Sequence, residues 1–275
     1  MASHASSSHF PRLSKKTLDH AISTTLIGRP IYYFPEISST NTYALTLSAR
    51  EPQDGTLVIA NYQTHGRGRH RRAWRAPRGK ALLFSLLLTP PPALRGLQLL
   101  TIIAAISVCE AMKQLYSLPA SIKWPNDVLT GGKKVCGILT ELTTRRGVTS
   151  AVVVGMGINV NQKAPELPRA VGTPATSLLI EHGEKISRLE LLTKILERFE
   201  HYYRLFRRDQ REQVINQWRR FSSTLGQQVR VQTHETAFSG AAVDIETDGG
   251  LVVRKDNGFL VKLFSADVHE IKILT

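Results

Sequence analysis

The sequence predicts a mixed α/β domain followed by a small β-barrel. Three observations carry this. Up to about Phe221, buried-strand runs alternate with helical periodicity. A strong amphipathic stretch from Ser187 closes that part. After Ser222 only short strands remain, separated by turn signals at Asp248-Gly-Gly and Asp256-Asn-Gly. The expected divisions are a flexible head with a short helix (1–28), a larger α/β domain (29–222) and a β domain (223–275).

Residues 1 to about 12 read as a frayed Ser- and His-rich head, and apolar periodicity at Leu18, Ile22 and Leu26 gives a short helical piece. Ile31-Tyr-Tyr-Phe is a strand closed by Pro35. Ser38-Ser-Thr-Asn-Thr offers N-caps for a helix over Tyr43–Leu47. Thr56–Tyr62 and Ala81–Leu88 are apolar strands on either side of a polar loop, Gln63–Lys80. Ala93–Tyr116 is a helix with Leu97, Leu100, Ile103, Ala104 and Val108 at 3–4 spacing. Ser121–Trp124, Val135–Leu142 and Ser150–Val154 are further strands. Ser187-Arg-Leu-Glu190 matches a capping box, opening a helix with Leu191, Ile195, Phe199 and Phe206 on one face; a second helical stretch runs to about Phe221. Val229–Val231, Ala241–Ile245, Leu251–Val253 and Phe259–Phe264 supply the terminal strands.

Composition bounds the function. At 42% hydrophobic and 21% charged residues, the 275-residue chain is neither disordered, collagen-like nor a membrane bundle. Its two cysteines, Cys109 and Cys136, sit in apolar stretches, which points to free thiols in a reducing compartment. The longest apolar runs fall short of the ~20 residues that span a bilayer, and no signal core is present, so a cytoplasmic protein away from membranes is expected. A net charge of +14 favours an acidic partner without choosing among nucleic acid, phosphorylated ligands and acidic protein.

Three stretches carry chemistry. Gly66-Arg-Gly-Arg-His-Arg-Arg-Ala-Trp-Arg-Ala-Pro-Arg-Gly-Lys80 holds seven basic residues and no acid. Glycines expose backbone N–H groups and arginine forks clamp phosphate or carboxylate, although charge alone favours a solvated basic loop or a nucleic-acid patch. Lys123-Trp-Pro-Asn-Asp127 and the following Gly131-Gly-Lys-Lys134 put an amide, a carboxylate and a lysine around a strand end. The plain alternative is a hairpin with a Gly-Gly turn and a snorkelling lysine. Val152-Val-Val-Gly-Met-Gly-Ile-Asn159 runs a buried strand into Gly-x-Gly, which permits close ligand approach or marks a bulge. Ser39-Thr-Asn41 caps a helix or serves a polar ring ligand.

Together, and in this order, these pieces resemble the biotin–protein ligase family from about Ile31 to the C-terminus. The carrying motifs are Ser39-Thr-Asn41, Gly66-Arg-Gly-Arg69 with Trp74, Lys123-Trp-Pro-Asn-Asp127, Lys134-x-x-Gly-Ile-Leu139, Gly155-x-Gly-Ile-Asn159 and the closing Ser265–Lys272. The resemblance implies a biotin/lipoate ligase-like catalytic domain, an SH3-like C-terminal barrel, and an ATP-dependent, AMP-forming reaction through biotinyl-5'-adenylate. The acceptor would be one lysine of a biotin carboxyl carrier domain of a biotin-dependent carboxylase. It assigns Ser39, Thr40, Asn41, Gln63, Gly66, Arg67, Gly68, Arg69, Lys134, Gly137 and Gly155 to biotin. Arg67, Arg69, Trp74, Asn126, Asp127, Gly157, Ile158, Asn159 and Lys272 fall to the nucleotide, with Lys134, Arg69 and Asp127 closest to the chemistry. Mg²⁺ should accompany ATP, and no protein ligand for it can be named. Two departures stand out: His70-Arg71-Arg72 replaces a run that often contains glycine, and Lys272 stands where many members carry arginine.

Members of that family often dimerise by pairing sheet edges, so a homodimer is among the expectations. Only about 30 residues precede Ile31, room for at most one helix, so no sequence-specific DNA binding is expected of this chain. The rivals are a lipoate or octanoate ligase or transferase of the same superfamily, whose ligand lacks a ureido group, and a basic nucleic-acid-binding protein, which leaves Trp-Pro-Asn-Asp unexplained.

Overall fold

The computed structural model describes residues 10–50, 52–91, 96–145, 148–168, 172–233, 236–264 and 266–270. The expected head therefore lies outside the described residues except for its last three positions, as does Lys272. After α1 (Lys15–Ala21), whose Ser14 forms a full capping box with Thr17, the chain enters β1 (Ile31–Phe34) and α2 (Thr40–Ser48). Strands β2 (Thr56–Ala60), β3 (Ala81–Leu88), β4 (Ser121–Lys123), β5 (Asp127–Thr130), β6 (Lys133–Arg145) and β7 (Val148–Asn159) complete a seven-stranded sheet in the order β1-β2-β3-β7-β6-β5-β4. Only β1 and β2 pair in parallel; every other neighbour is antiparallel.

One face of this sheet is apolar by strict alternation. Leu82, Phe84, Leu86 and Leu88 on β3 and Val152, Val154, Met156 and Ile158 on β7 point to α3 (Leu99–Tyr116), α5 (Arg188–Arg207) and α6 (Arg211–Phe221). Thirteen of the eighteen residues of α3 are buried, which makes this long apolar helix the centre of the core. Burying those side chains contributes about 1.5–3 kcal/mol for each large one. The helix begins at Leu99 rather than Ala93: Gly96, at φ +74, and a turn at Leu97–Gln98 precede it. Glu110 on α3 is tied to Arg198 and, at 2.6 and 2.7 Å, to Tyr202 and Gln217, so one buried carboxylate joins all three helices. The Ser187 cap of α5 is half a capping box, its hydroxyl accepting from Glu190 N at 3.3 Å.

A short helix, α4 (Leu178–His182), escaped the sequence reading, whereas β5 is the first strand of the Gly-Gly hairpin weighed there. The β5–β6 connection is a tight hairpin turn with Gly131 and Gly132 at φ +55 and +72, values that favour glycine at both positions. Both cysteines are free and fully buried, and burial pushes both thiols up.

The terminal strands β8 (Gln228–Gln232), β9 (Ala237–Ile245), β10 (Leu251–Lys255), β11 (Leu260–Leu263) and β12 (Asp267–Glu270) form an antiparallel sheet in the order β11-β10-β9-β8-β12. The expected barrel is thus a five-stranded sheet bent by a register shift at Val252/Val253, with no ladder joining β11 to β12 among the described residues. It docks beside β4: Ser223 N donates to Ile122 O, and Trp124 N donates to Thr224 Oγ1, each at 3.0 Å.

Candidate active site

The sheet face opposite the three helices carries the polar groups, and register aligns them in two rows. In the first, Ser85, Gly155 and Leu139 oppose one another across β3, β7 and β6. In the second, Leu83, Gly157, Gly137 and Asp127 do so across β3, β7, β6 and β5. Above these rows lies a cavity of about 580 Å³, within the usual range for small-molecule sites.

The first row seats the N-terminus of α2. Ser39 caps the helix, accepting from Thr42 N at 3.4 Å. Thr40 donates to Gln63 Oε1 through its backbone N and its hydroxyl, at 2.7 and 3.0 Å. Asn41 lies flat over Gly155, where any Cβ would overlap its Oδ1. Ser85 Oγ shares its one hydrogen between Thr40 Oγ1 and Asn41 Oδ1, at 2.7 and 2.6 Å. Asn41 Nδ2 donates to Leu139 O at 3.2 Å and Glu141 Oε2 at 2.8 Å. Ser39, Thr40, Asn41 and Ser85 are all buried, and their hydrogen bonds close within the protein.

The second row seats the indole of Trp74. A Cβ at Gly157 would stand 2.6 Å from its Cε2, and one at Gly137 2.9 Å from its Cζ3. Lys134 lies beside it, with Nζ 6.0 Å from the ring centroid and 2.6 Å from Asp127 Oδ1. The hairpin reading and the site reading of this stretch are both realised, because the hairpin sets Asp127 opposite Gly137. The backbone of Lys134 is gripped by the 174–176 segment, donating to Pro174 O at 2.7 Å and accepting from Thr176 N at 2.9 Å. The neighbouring Cys136 thiol is pushed up by burial, with Lys134 opposing and Asp127 adding, so it stays a neutral core group.

The basic loop folds back on itself: Trp74 N donates to Gly66 O at 2.9 Å and Gly68 N to Arg72 O at 2.7 Å. Arg67 Nη2 pairs with Glu141 at 2.7 Å. Arg69 Nη1 donates to Asn126 Oδ1 at 3.2 Å and Nη2 to Ala266 O at 3.4 Å, joining the loop to the small sheet. Asn126 Nδ2 in turn donates to Ile138 O at 2.8 Å. His70 and Arg71 stand at φ +52 and +60, where a glycine would sit without strain.

Of the residues singled out in the sequence, Ser39, Thr40, Asn41, Gln63, Arg67, Gly68, Arg69, Trp74, Asn126, Asp127, Lys134, Gly137, Gly155, Gly157 and Asn159 converge on this cavity. Three do not. Gly66 is buried beneath the loop, where a Cβ would strike the Trp74 backbone. Ile158 points to the helix core by strand alternation. Lys272 is outside the described residues. Asn159 reaches the wall with its amide committed to Thr176 O and Gln162 Nε2, at 3.0 and 2.8 Å, which anchors the 173–177 segment. The sequence reading passed over Ser85 and Glu141, and it quoted Lys123, Ala266 and Val268 within motifs without giving them a place at the site. A lone serine in the apolar run Ala81–Leu88 was the available signal for the first.

Residues 33–159 match the Biotin/lipoate A/B protein ligase family, and residues 224–269 match the Biotin protein ligase C terminal domain. A bifunctional ligase/repressor BirA from Bacillus spizizenii is 35% identical over 258 residues, spanning 94% of this chain and 79% of the relative. The chain belongs to the biotin/lipoate A/B protein ligase family. The ligase is also 32% identical to a biotin–[acetyl-CoA-carboxylase] ligase of Mycobacterium tuberculosis, over 88% of this chain and 90% of that one. Among solved structures, a biotin protein ligase from Aquifex aeolicus in complex with biotin and ATP superposes with a TM-score of 0.77 at 29% identity, covering 88% of this chain and all of that one.

Proposed function

We propose that the ligase activates biotin with ATP to biotinyl-5'-adenylate and transfers the biotinyl group to one lysine of a biotin carboxyl carrier domain. The observation that carries this reading is the division of one cavity into a neutral, buried, hydrogen-bonding end and a cationic end. A ligand with a polar uncharged head and a carboxylate tail suits both. Both Asn41 Nδ2 hydrogens already have acceptors, while Oδ1 takes Ser85 and keeps a lone pair. Asn41 therefore accepts from a ligand N–H, a group that a ureido ring has and a lipoyl or octanoyl chain lacks.

In the first step a carboxylate oxygen attacks the α-phosphorus of ATP. An acyl–phosphate bond forms, the bond to the β-phosphate oxygen breaks, and pyrophosphate leaves. Two anions held 4 Å apart repel by about 4 kcal/mol at an effective dielectric near 20. Lys134, Arg67 and Arg69 supply the opposing charge, and Asp127 holds Lys134 in place. Trp74, on its glycine floor, offers an aromatic face to the adenine. In the second step the carrier lysine's amine attacks the acyl carbon, an amide forms, the ester oxygen leaves with AMP, and the amine proton passes to solvent.

Mg²⁺ brought by ATP would neutralise phosphate charge. Of the cavity's flanking carboxylates, Asp127 and Glu141 are each paired with a cation. Among the described residues no cluster of three His, Cys, Asp or Glu forms a cage, so the ion fits as a companion of the phosphates and no step is routed through it.

The net charge of +14 suits an acidic carrier, and transfer should fall as ionic strength rises. Free buried thiols support a cytoplasmic setting. A homodimer joined at a sheet edge is part of the proposal, to be checked by light scattering. We further propose 29–222 and 223–275 as the two domains, for which limited proteolysis is the check. The deciding experiment is pyrophosphate-dependent ATP exchange with biotin, lipoate or octanoate as the acid. Exchange with biotin alone is expected; exchange with lipoate or octanoate would move the ligase to the sister branch of its family.

A further inference from the structure

We propose that Glu141 is a positioning residue for adenylate binding: it stands behind Arg67, turning the guanidinium toward the phosphate end of the cavity, and with the same oxygen it fixes the amide of Asn41. This rests on the function proposed above and assigns a residue that none of the motifs singled out.

One atom carries the argument. Glu141 Oε2 accepts from Asn41 Nδ2 at 2.8 Å and from Arg67 Nη2 at 2.7 Å. It therefore joins α2, β6 and the basic loop, the elements that make the two ends of the cavity. Glu141 is not among the residues lining that cavity, whereas Arg67 and Asn41 both are. It acts on the ligand through them. Strand alternation sets this up: Gly137, Leu139 and Glu141 share the site-facing side of β6, and Glu141 lies two positions beyond the row that seats Asn41.

The division of donors makes the arrangement useful. A guanidinium has five N–H donors in a rigid fork, and Glu141 engages Nη2. Nε and Nη1 keep their fork geometry for phosphate or carboxylate oxygens. Arg67 is 40% exposed and sits on a glycine-flanked loop, so without a partner it would sample many rotamers before meeting a ligand. Asn41 has the complementary need. Its amide presents Oδ1 to the ligand only while Nδ2 faces two acceptors, and Glu141 is one of them. Glu141 thus makes a charge-dependent contact with Arg67 and a charge-independent one with Asn41, and two substitutions separate them.

Glu141→Gln retains a carbonyl acceptor for Asn41 and removes the charge opposite Arg67. Glu141→Ala removes both. The measurements are biotin affinity by calorimetry and the rate at which preformed biotinyl-adenylate leaves the enzyme. For Glu141→Gln, biotin affinity should stay within about twofold while adenylate leaves about tenfold faster, the scale of one charge-assisted contact. For Glu141→Ala, biotin should also weaken by about tenfold. In an Arg67→Ala background, Glu141→Gln should add nothing to adenylate release, because its effect runs through Arg67. Equal losses of biotin and adenylate affinity in Glu141→Gln, or effects additive with Arg67→Ala, would overturn the proposal. Slower adenylate release in Glu141→Gln would overturn it too, since Glu141 would then be a competitor for Arg67. Wild-type exchange and biotin binding form the separate first arm: failure there strikes the proposed function, whereas failure only in the variants strikes the role of Glu141.

Discussion

The two ends of the cavity are built on opposite plans. At the ring end, Ser39, Thr40, Asn41 and Ser85 are 0–5% exposed, and their hydrogen bonds close on Gln63, Leu139 and Glu141. At the cationic end, Arg72 and Arg75 are exposed, and two consecutive non-glycine residues of the loop, His70 and Arg71, stand at positive φ. A neutral head group can be recognised by a rigid, desolvated frame, because each polar group in the frame already has a partner. A cluster of cations cannot be packed that way without its anion, since desolvation and self-repulsion outweigh any contact it makes. The rigid end therefore stands on the sheet, and the charged end is carried by a loop held through Arg67 to Glu141 and through Arg69 to Asn126 and Ala266.

The sharpest test of this contrast removes one charge at the boundary between the ends. Lys134→Ala should lower adenylate formation by about 10³-fold, the upper range for losing a preorganised electrostatic contact. Biotin affinity should change far less, because the ring end is unaltered. Single-turnover adenylation beside biotin calorimetry separates the two, and full activity would remove Lys134 from the mechanism. Arg69→Ala, which unties the loop from Asn126 and Ala266, should release adenylate early and give promiscuous lysine labelling on mass spectrometry of mixed proteins.

At the ring end the breaking change is Gly155→Ala. Its methyl would overlap Asn41 Oδ1, and overpacking of a rigid site typically costs about 1–3 kcal/mol. Biotin affinity of the folded protein should fall by up to about a hundredfold, beside a loss of stability on the same scale, because Asn41 is held by its own hydrogen bonds. Unchanged affinity would mean that the first row is not the ring site.

The frame beneath both ends makes a separable, smaller demand on activity. Burial by itself would raise the carboxyl of Glu200, on α5, but donors from Arg204, Ile27 N, Leu26 N and Thr25 hold it near about 2, below its ordinary 4.5. A lowered folded value means stability that is present above about pH 4.5 and lost as pH falls toward 2. Glu200→Gln should thus cost about 1–2 kcal/mol at pH 7, the exposed Arg204 partner being screened by solvent, with the gap to wild type closing across that acid window in urea melts. Biotin affinity of the folded fraction should not change.

Much of this was legible beforehand because the motifs are local. Ser39-Thr-Asn41, the Arg67/Arg69 loop and Asp127 with Lys134 are each ambiguous alone, but each is a short stretch whose side chains the fold brings to one cavity. What escaped depends on register. Ser85 matters only once β3, β7 and β6 align it with Gly155 and Leu139, and Glu141 only once that row meets α2. Parity alone separates Gly155, Gly157 and Asn159 from Ile158, so the assignment of Ile158 to the wall was correctable by the two-residue period of a strand. The barrel expected at the C-terminus was right in its strands, while the pairing of β12 with β8 lies beyond local patterning.

The mildest change addresses the loop's strain. Arg71 stands at φ +60, beside His70 at +52, in place of the glycine that such loops often carry. A side chain in this region costs about 1–2 kcal/mol, whereas glycine costs about 0.5–1 kcal/mol more backbone entropy on ordering. The difference favours Arg71→Gly by roughly 0.5–1 kcal/mol, which should slow adenylate release about two- to fivefold if Arg71 acts through its backbone alone. Faster release would show that the exposed guanidinium itself reaches the phosphate. In that case the loop tolerates a strained conformation in order to add a charge, and the contrast between the two ends becomes stronger.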